Sequence, residues 1–80
     1  MQVDIELFAT LRERLKARFP GGRGTAELVD GSTLEDLGRQ LEIPMFASCA
    51  ILVNGQVERD RLRPLPAGSK ITLIPPVAGG

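Results

Sequence analysis

Two adjacent prolines, Pro75 and Pro76, close the last apolar alternation of the chain and constrain its fold more than any other feature. Proline has no amide N–H and holds φ at about −65°, so a sheet ladder must end where the pair begins. The residue before a proline is pushed to an extended conformation, which makes Ile74 the last strand residue. Upstream, Lys70, Thr72 and Ile74 alternate with Ile71 and Leu73, the period of a strand with one buried face. Beyond the prolines stand Val77-Ala78-Gly79-Gly80. The chain must seat this strand in a sheet and send a narrowing tail out of it in a set direction.

The rest of the chain supplies that sheet. Residues 2–8 alternate, with Val3, Ile5 and Leu7 on one face and Gln2, Asp4, Glu6 and Phe8 on the other. Thr10-x-x-Glu13 has the spacing of a capping box, and Leu11, Leu15 and Phe19 form an apolar stripe, so a helix is expected from Thr10 to the break at Pro20-Gly21-Gly22. Residues 25–30 read as a strand with Ala26 and Leu28 inward, turned by Asp30-Gly31. Ser32 or Thr33 starts a second helix whose buried stripe is Leu34, Leu37 and Leu41, ended by Ile43-Pro44. Gly38 inside it is expected to permit close packing on the sheet. Residues 49–53 form a third strand, Asn54-Gly55 a two-residue hairpin turn, and residues 56–58 a short edge strand. Leu62 and Leu65, in a proline-containing loop, are expected to cover one end of the core. The reading is α+β: a mixed sheet of four to five strands, one long helix across it and an extra short helix after the first strand. Periodicity alone leaves the topology open; one arrangement that fits has first and last strands side by side and parallel at the sheet centre. Residues 1–76 form one domain and residues 77–80 a flexible tail.

Composition then removes most chemistry. Eighty residues contain no histidine and one cysteine, so a histidine-based triad, a Cys-x-x-Cys zinc site and an internal disulfide are excluded. Cys49 is expected to be a core thiol, and Glu35 and Asp36 capping residues. The glycines of residues 21–24 lack phosphate-loop spacing. Ten basic residues balance ten acidic ones, which gives no nucleic-acid footprint. No signal peptide and no membrane-length apolar run is present, so the expected location is cytoplasmic. Arg12, Arg14, Lys16, Arg18 and Arg23 cluster; they are a solvated face or a docking surface for an acidic partner. The remaining reactive group is the α-carboxylate of Gly80. Ionised, it is a poor electrophile, and attack on the α-phosphate of ATP would turn it into an acyl-adenylate open to sulfide or a thiol. Gly79 and Gly80 can thread a narrow channel, with Ala78 nearly as slim. Pro75 and Pro76 aim them. Parity adds a patch: if the first and last strands are parallel neighbours, Phe8 and Ile74 lie together on the outer face, at the root of the tail, and Val57 could extend it. Exposed apolar clusters of this kind mark protein interfaces; the competing reading has Phe8 covering the core under the first helix.

Leu7-Phe8-Ala9-Thr10-Leu11-Arg12-Glu13, Leu52-Val53-Asn54-Gly55 and Pro75-Pro76-Val77-Ala78-Gly79-Gly80 together resemble the MoaD/ThiS family of small sulfur carriers, and most resemble the molybdopterin-synthase small subunits within it. The resemblance covers the whole chain. It implies the ubiquitin-like β-grasp fold. It also implies a cycle in which an E1-like enzyme, using ATP and magnesium, adenylates Gly80 and a persulfide donor converts it to a thiocarboxylate. The tail then enters the large subunit of molybdopterin synthase and delivers sulfur for the molybdenum cofactor. In this picture the chain binds no cofactor or metal itself, performs no side-chain catalysis alone, and docks through Phe8, Val57, Ile74, Pro75 and Pro76. Other acceptors are open on the same chemistry: thiamine, cysteine, tRNA thiolation, a tungsten cofactor, or a lysine amine as in protein modification.

Overall fold

The computed structural model describes residues 1–43 and 46–76. Five strands, β1 (Gln2–Leu7), β2 (Arg23–Glu27), β3 (Ala50–Val53), β4 (Gln56–Val57) and β5 (Lys70–Ile74), form one sheet in the order β2-β1-β5-β3-β4. The last strand in sequence is the middle strand in space. It pairs parallel with β1, Ile5 opposite Ile71 and Leu7 opposite Leu73. On its other side it pairs antiparallel with β3, Ile51 opposite Leu73. This is the expected mixed sheet with first and last strands side by side, the ubiquitin-like β-grasp.

The inner face carries the core. Val3, Ile5, Leu7, Ile51, Ile71 and Leu73 are buried in one cluster with Leu34, Leu37 and Leu41 of α2 (Leu34–Leu41). Burial of each such side chain contributes about 1.5–3 kcal/mol. The start of α2 is settled by Thr33: its Oγ1 accepts from the Asp36 amide and its own amide donates to Asp36 Oδ2 at 2.9 Å, a closed capping box. Glu42, in the left-handed conformation, ends the helix. The Asn54-Gly55 turn has φ of 52° and 84°, the type I′ geometry that suits the twist of a hairpin.

Four expectations are corrected. The first helix, α1, spans only Thr10–Arg14, and Ala9, not Thr10, is its N-cap, with no side-chain capping bond. The cause lies in β1. Phe8 still donates its amide to the Leu73 carbonyl, so the chain must turn within one residue, and Ala9 takes φ 52° to do so. Leu11 and Phe19 are buried as the stripe requires, but tight turns after Leu15 carry Phe19 inward. Second, β2 begins at Arg23, two residues before the expected start, because Gly24 accepts the Phe19 ring: a Cβ there would lie 2.7 Å from a ring carbon. Third, Gly38 does permit close packing, but under the Phe46 ring instead of the sheet. Fourth, Leu65 is buried at the end of the core while Leu62 is 66% exposed.

Candidate functional site

The outer face of the sheet is where strand alternation places what the core does not take. The β1–β5 and β5–β3 registers align Phe8, Ile74 and Ala50 in one row across the sheet, at the end where β5 meets the prolines. The next row is Arg23, Glu6, Thr72, Leu52 and Val57. Phe8 and Ile74 are each 37% exposed and Val57 is 62% exposed. Phe8 and Ile74 therefore stand together at the tail root, and Val57 lies at the far edge of the same face. The bridge between them is Leu52, half-buried, with Ala50 beside Ile74. Neither was singled out from sequence. The signal was present, because inward Ile51 and Val53 leave Ala50 and Leu52 outward by parity.

Proline placement is uneven: Pro75 is buried and Pro76 exposed. The first proline is held by the body of the domain and the second faces solvent. Val77, Ala78, Gly79 and Gly80, assigned from sequence to threading and reaction, lie outside the described residues.

The polar part of this face is charge-balanced. Glu6 pairs with Arg23 at 3.1 Å and with Lys70 at 3.3 Å. The Lys70 contact, reinforced by Arg23, holds the Glu6 carboxyl below its ordinary range. A glutamate ionised and held between two cations is a poor general base. Cys49 is buried, and burial pushes its thiol pKa up, which opposes nucleophilic use. Glu35 pairs with Arg39, and Asp36 is held low by the Thr33 amide and hydroxyl; both serve α2. An open cleft of about 610 Å³ separates the β3–β4 hairpin from residues 63–66, and its one carboxylate, Glu58, pairs with Arg63. Among the described residues no group of three or more His, Cys, Asp or Glu could hold a metal ion, and no helix is long and apolar enough to cross a membrane. What this arrangement can do is bind a protein surface beside the exit of the tail.

No curated protein sequence matches the chain. Solved structures do. A chain of the complex between subunits 1 and 2 of the molybdopterin-converting factor of Helicobacter pylori is 25% identical, with a TM-score of 0.66 over 100% of both chains. The Haloferax volcanii HVO 2177 protein is 27% identical, with a TM-score of 0.77 over 100% of this chain and 87% of that one. SAMP1 of Haloferax volcanii is 20% identical with a TM-score of 0.69 over 100% of both chains, a likeness of fold. The family model that matches is the ThiS family, over residues 5–80. Motifs, sheet order and family model agree: the chain belongs to the ThiS family of ubiquitin-like sulfur carriers.

Proposed function

We propose that this chain is a sulfur carrier for molybdopterin synthesis, with the α-carboxylate of Gly80, as the terminus of the mature chain, as its working group. The observation that carries the reading is the family match running from β1 through Gly79-Gly80. The apolar row of Phe8, Ile74 and Ala50 at the tail root supports it.

The chemistry follows from the carboxylate. One of its oxygens attacks the α-phosphorus of ATP in an E1-like partner. The bond to the bridging oxygen breaks, pyrophosphate leaves with magnesium, and a mixed anhydride forms. A persulfide sulfur attacks the acyl carbon and AMP departs. Cleavage of the resulting acyl disulfide by a thiol leaves the thiocarboxylate. The tail then enters the large subunit of the synthase, and its sulfur passes to the pterin precursor. This chain's own residues supply docking and aim: Phe8, Ile74 and Val57 meet the partner, and Pro75-Pro76 direct residues 77–80 into it. The subunit 1–subunit 2 complex of the Helicobacter pylori factor is the model for that second docking.

Intact mass spectrometry tests the reading. After incubation with the E1-like enzyme of the same organism, ATP, magnesium and a sulfur donor, one terminal oxygen should be replaced by sulfur. An unchanged mass, with the enzyme active on another carrier in the same tube, defeats the proposal. Adducts joined to lysine would move the chain to the modifier branch of the family.

A further inference from the structure

Five of the ten basic residues lie in residues 10–23, against one of the ten acidic ones, Glu13. The chain as a whole is neutral, so it is polarised: one short arm is strongly cationic and the remainder is anionic by the same amount. The arm's charge is also poorly neutralised. Lys16 pairs with Glu13 and Arg23 with Glu6. Arg12, Arg14 and Arg18 are exposed, and none of them makes an ion pair with any described residue; Arg18 rests on the Phe19 ring at 5.8 Å. Elsewhere Arg39, Arg63 and Lys70 each meet a carboxylate.

Topology fixes where this charge stands. α1 follows Phe8 by one residue, at the carboxyl end of β1. The returning turn at Pro20–Gly22 packs back onto that end: a Cβ on Gly22 would meet both the Leu7 carbonyl and the Arg12 side chain. β2 runs antiparallel to β1, so it starts there too, with Arg23 opposite Glu6. β5 is parallel to β1 and ends there, at Ile74. The cationic arm, Phe8 and the exit of the tail therefore share one end of the sheet.

We propose that residues 12–18 form an electrostatic docking arm that meets an acidic surface bordering the tail entrance of the adenylating partner. The inference rests on the carrier reading and specifies the chemistry of its first partner. The apolar row is small, and a carrier must find its enzyme and leave it each cycle. Unpaired surface charge next to the apolar contact raises the encounter rate and sets orientation while adding little to the lifetime of the complex. Three exposed arginines on the segment that follows Phe8 add an orienting charge at that end of the sheet.

The test is ATP–pyrophosphate exchange by the E1-like enzyme as a function of the concentration of the full chain, repeated from low to high salt. For R12Q/R14Q/R18Q the KM for the chain should rise about tenfold or more at low salt, with kcat unchanged because the tail is intact. Its KM should also lose most of its salt dependence. R12K/R14K/R18K keeps the charge and should keep the wild-type KM, which separates charge from folding. Arg59, which has no ion pair among the described residues and follows β4 at the far edge of the sheet, supplies the control: R59Q should behave as wild type. Exchange with wild-type KM and salt slope in the triple glutamine variant overturns the arm alone, as does equal loss in R59Q. Retention of labelled single-stranded RNA or anionic vesicles by the arm, with KM unchanged in the triple variant, overturns it in favour of those ligands. No exchange even with the wild-type chain overturns the carrier reading and the arm with it.

Discussion

Leu7 and Phe8 are neighbours in sequence with opposite exposure, and replacing each by alanine separates the fold from the proposed docking. Leu7 is fully buried, opposite Leu73 in the central pair of strands. Truncation there leaves a cavity in a small core and costs about 2–5 kcal/mol. Phe8 is 37% exposed, so the fold holds only part of the ~1.5–3 kcal/mol that complete burial of such a side chain provides; Phe8→Ala should cost about 1–2 kcal/mol. In a domain of this size 1 kcal/mol moves Tm by about 4–8 °C. Phe8→Ala should therefore melt about 5–15 °C low, and Leu7→Ala lower still. The functional order should be the reverse. Phe8 beside Ile74 is the central apolar contact of the proposed interface, and loss of an aromatic anchor there costs about 2 kcal/mol or more of binding, close to 30-fold. Urea titration gives the stabilities, and thiocarboxylate formation, followed by intact mass at a temperature where both variants are folded, gives the activities. Folded Leu7→Ala should be activated normally and Phe8→Ala poorly. Equal destabilisation of the two, or activation of Phe8→Ala within about twofold of wild type, where a hot-spot loss is expected, refutes the outward placement of Phe8 as a docking residue.

Further outcomes follow from single contacts. A Cβ on Gly38 would stand 2.5 Å from two Phe46 ring carbons, so Gly38→Ala should destabilise by about 1–3 kcal/mol. In a Phe46→Ala background the same change should instead stabilise by about 1 kcal/mol, the ordinary helix preference for alanine; a denaturant double-mutant cycle reads the sign reversal. Ala9 is held at φ 52° and ψ −130°, a region disfavoured for L residues, and Ala9→Gly should raise Tm by relieving about 1–3 kcal/mol of strain against a smaller gain in unfolded-state entropy. The Asp36 carboxyl lies below its ordinary value through the Thr33 amide and hydroxyl. Its contribution is therefore complete above the unfolded-state value and lost as pH falls through the lower folded one. Stability of Asp36→Asn should trail wild type at neutral pH and converge with it on the acid side of the usual carboxylate range, as measured by urea midpoints across pH.

What was legible in the sequence was what a local period or turn chemistry controls. The alternation at Lys70–Ile74 reproduces the strand residue for residue, because two prolines leave no other end. Asn54-Gly55 set the hairpin register, Val53 opposite Gln56. Leu34, Leu37 and Leu41 set the buried face of α2. The misses share a different cause, contact between distant residues. Thr10-x-x-Glu13 has the spacing of a cap, yet the ladder bond from Phe8 to Leu73 decides where the turn falls. Gly24 falls outside the expected strand, which starts at residue 25, until Phe19 is placed against it, and Gly38 reads as a sheet contact until Phe46 arrives. Leu62 and Leu65 are alike in composition, but the Leu65 amide bonds the Ser32 carbonyl, which draws Leu65 inward and leaves Leu62 outside. At the candidate site, parity puts Phe8 and Ile74 outward and does the same for Ala50 and Leu52; the register adds that Ala50 stands beside Ile74 and Leu52 beside Val57.

That register also explains how a tail can be pulled without unravelling the domain. A partner that captures residues 77–80 applies its load at Ile74. A strand at a sheet edge could peel one bond at a time. Here β5 is bonded on both sides, to β1 and to β3, and Ile71 and Leu73 are fully buried. Pro75 is buried beyond them and cannot join a ladder, so the bonded segment ends at a fixed residue. Loosening β5 means breaking both ladders and opening the core together, which is global unfolding. Native-state hydrogen exchange should therefore place the β5 amides among the slowest in the chain, with opening free energies equal to that from denaturant titration. The amides of β4 at the sheet edge should open at far lower cost. If the β5 amides instead exchange as a fraying terminus does, well below the global value, the strand is not an anchor. The aim proposed for Pro75 and Pro76 would then have no rigid base.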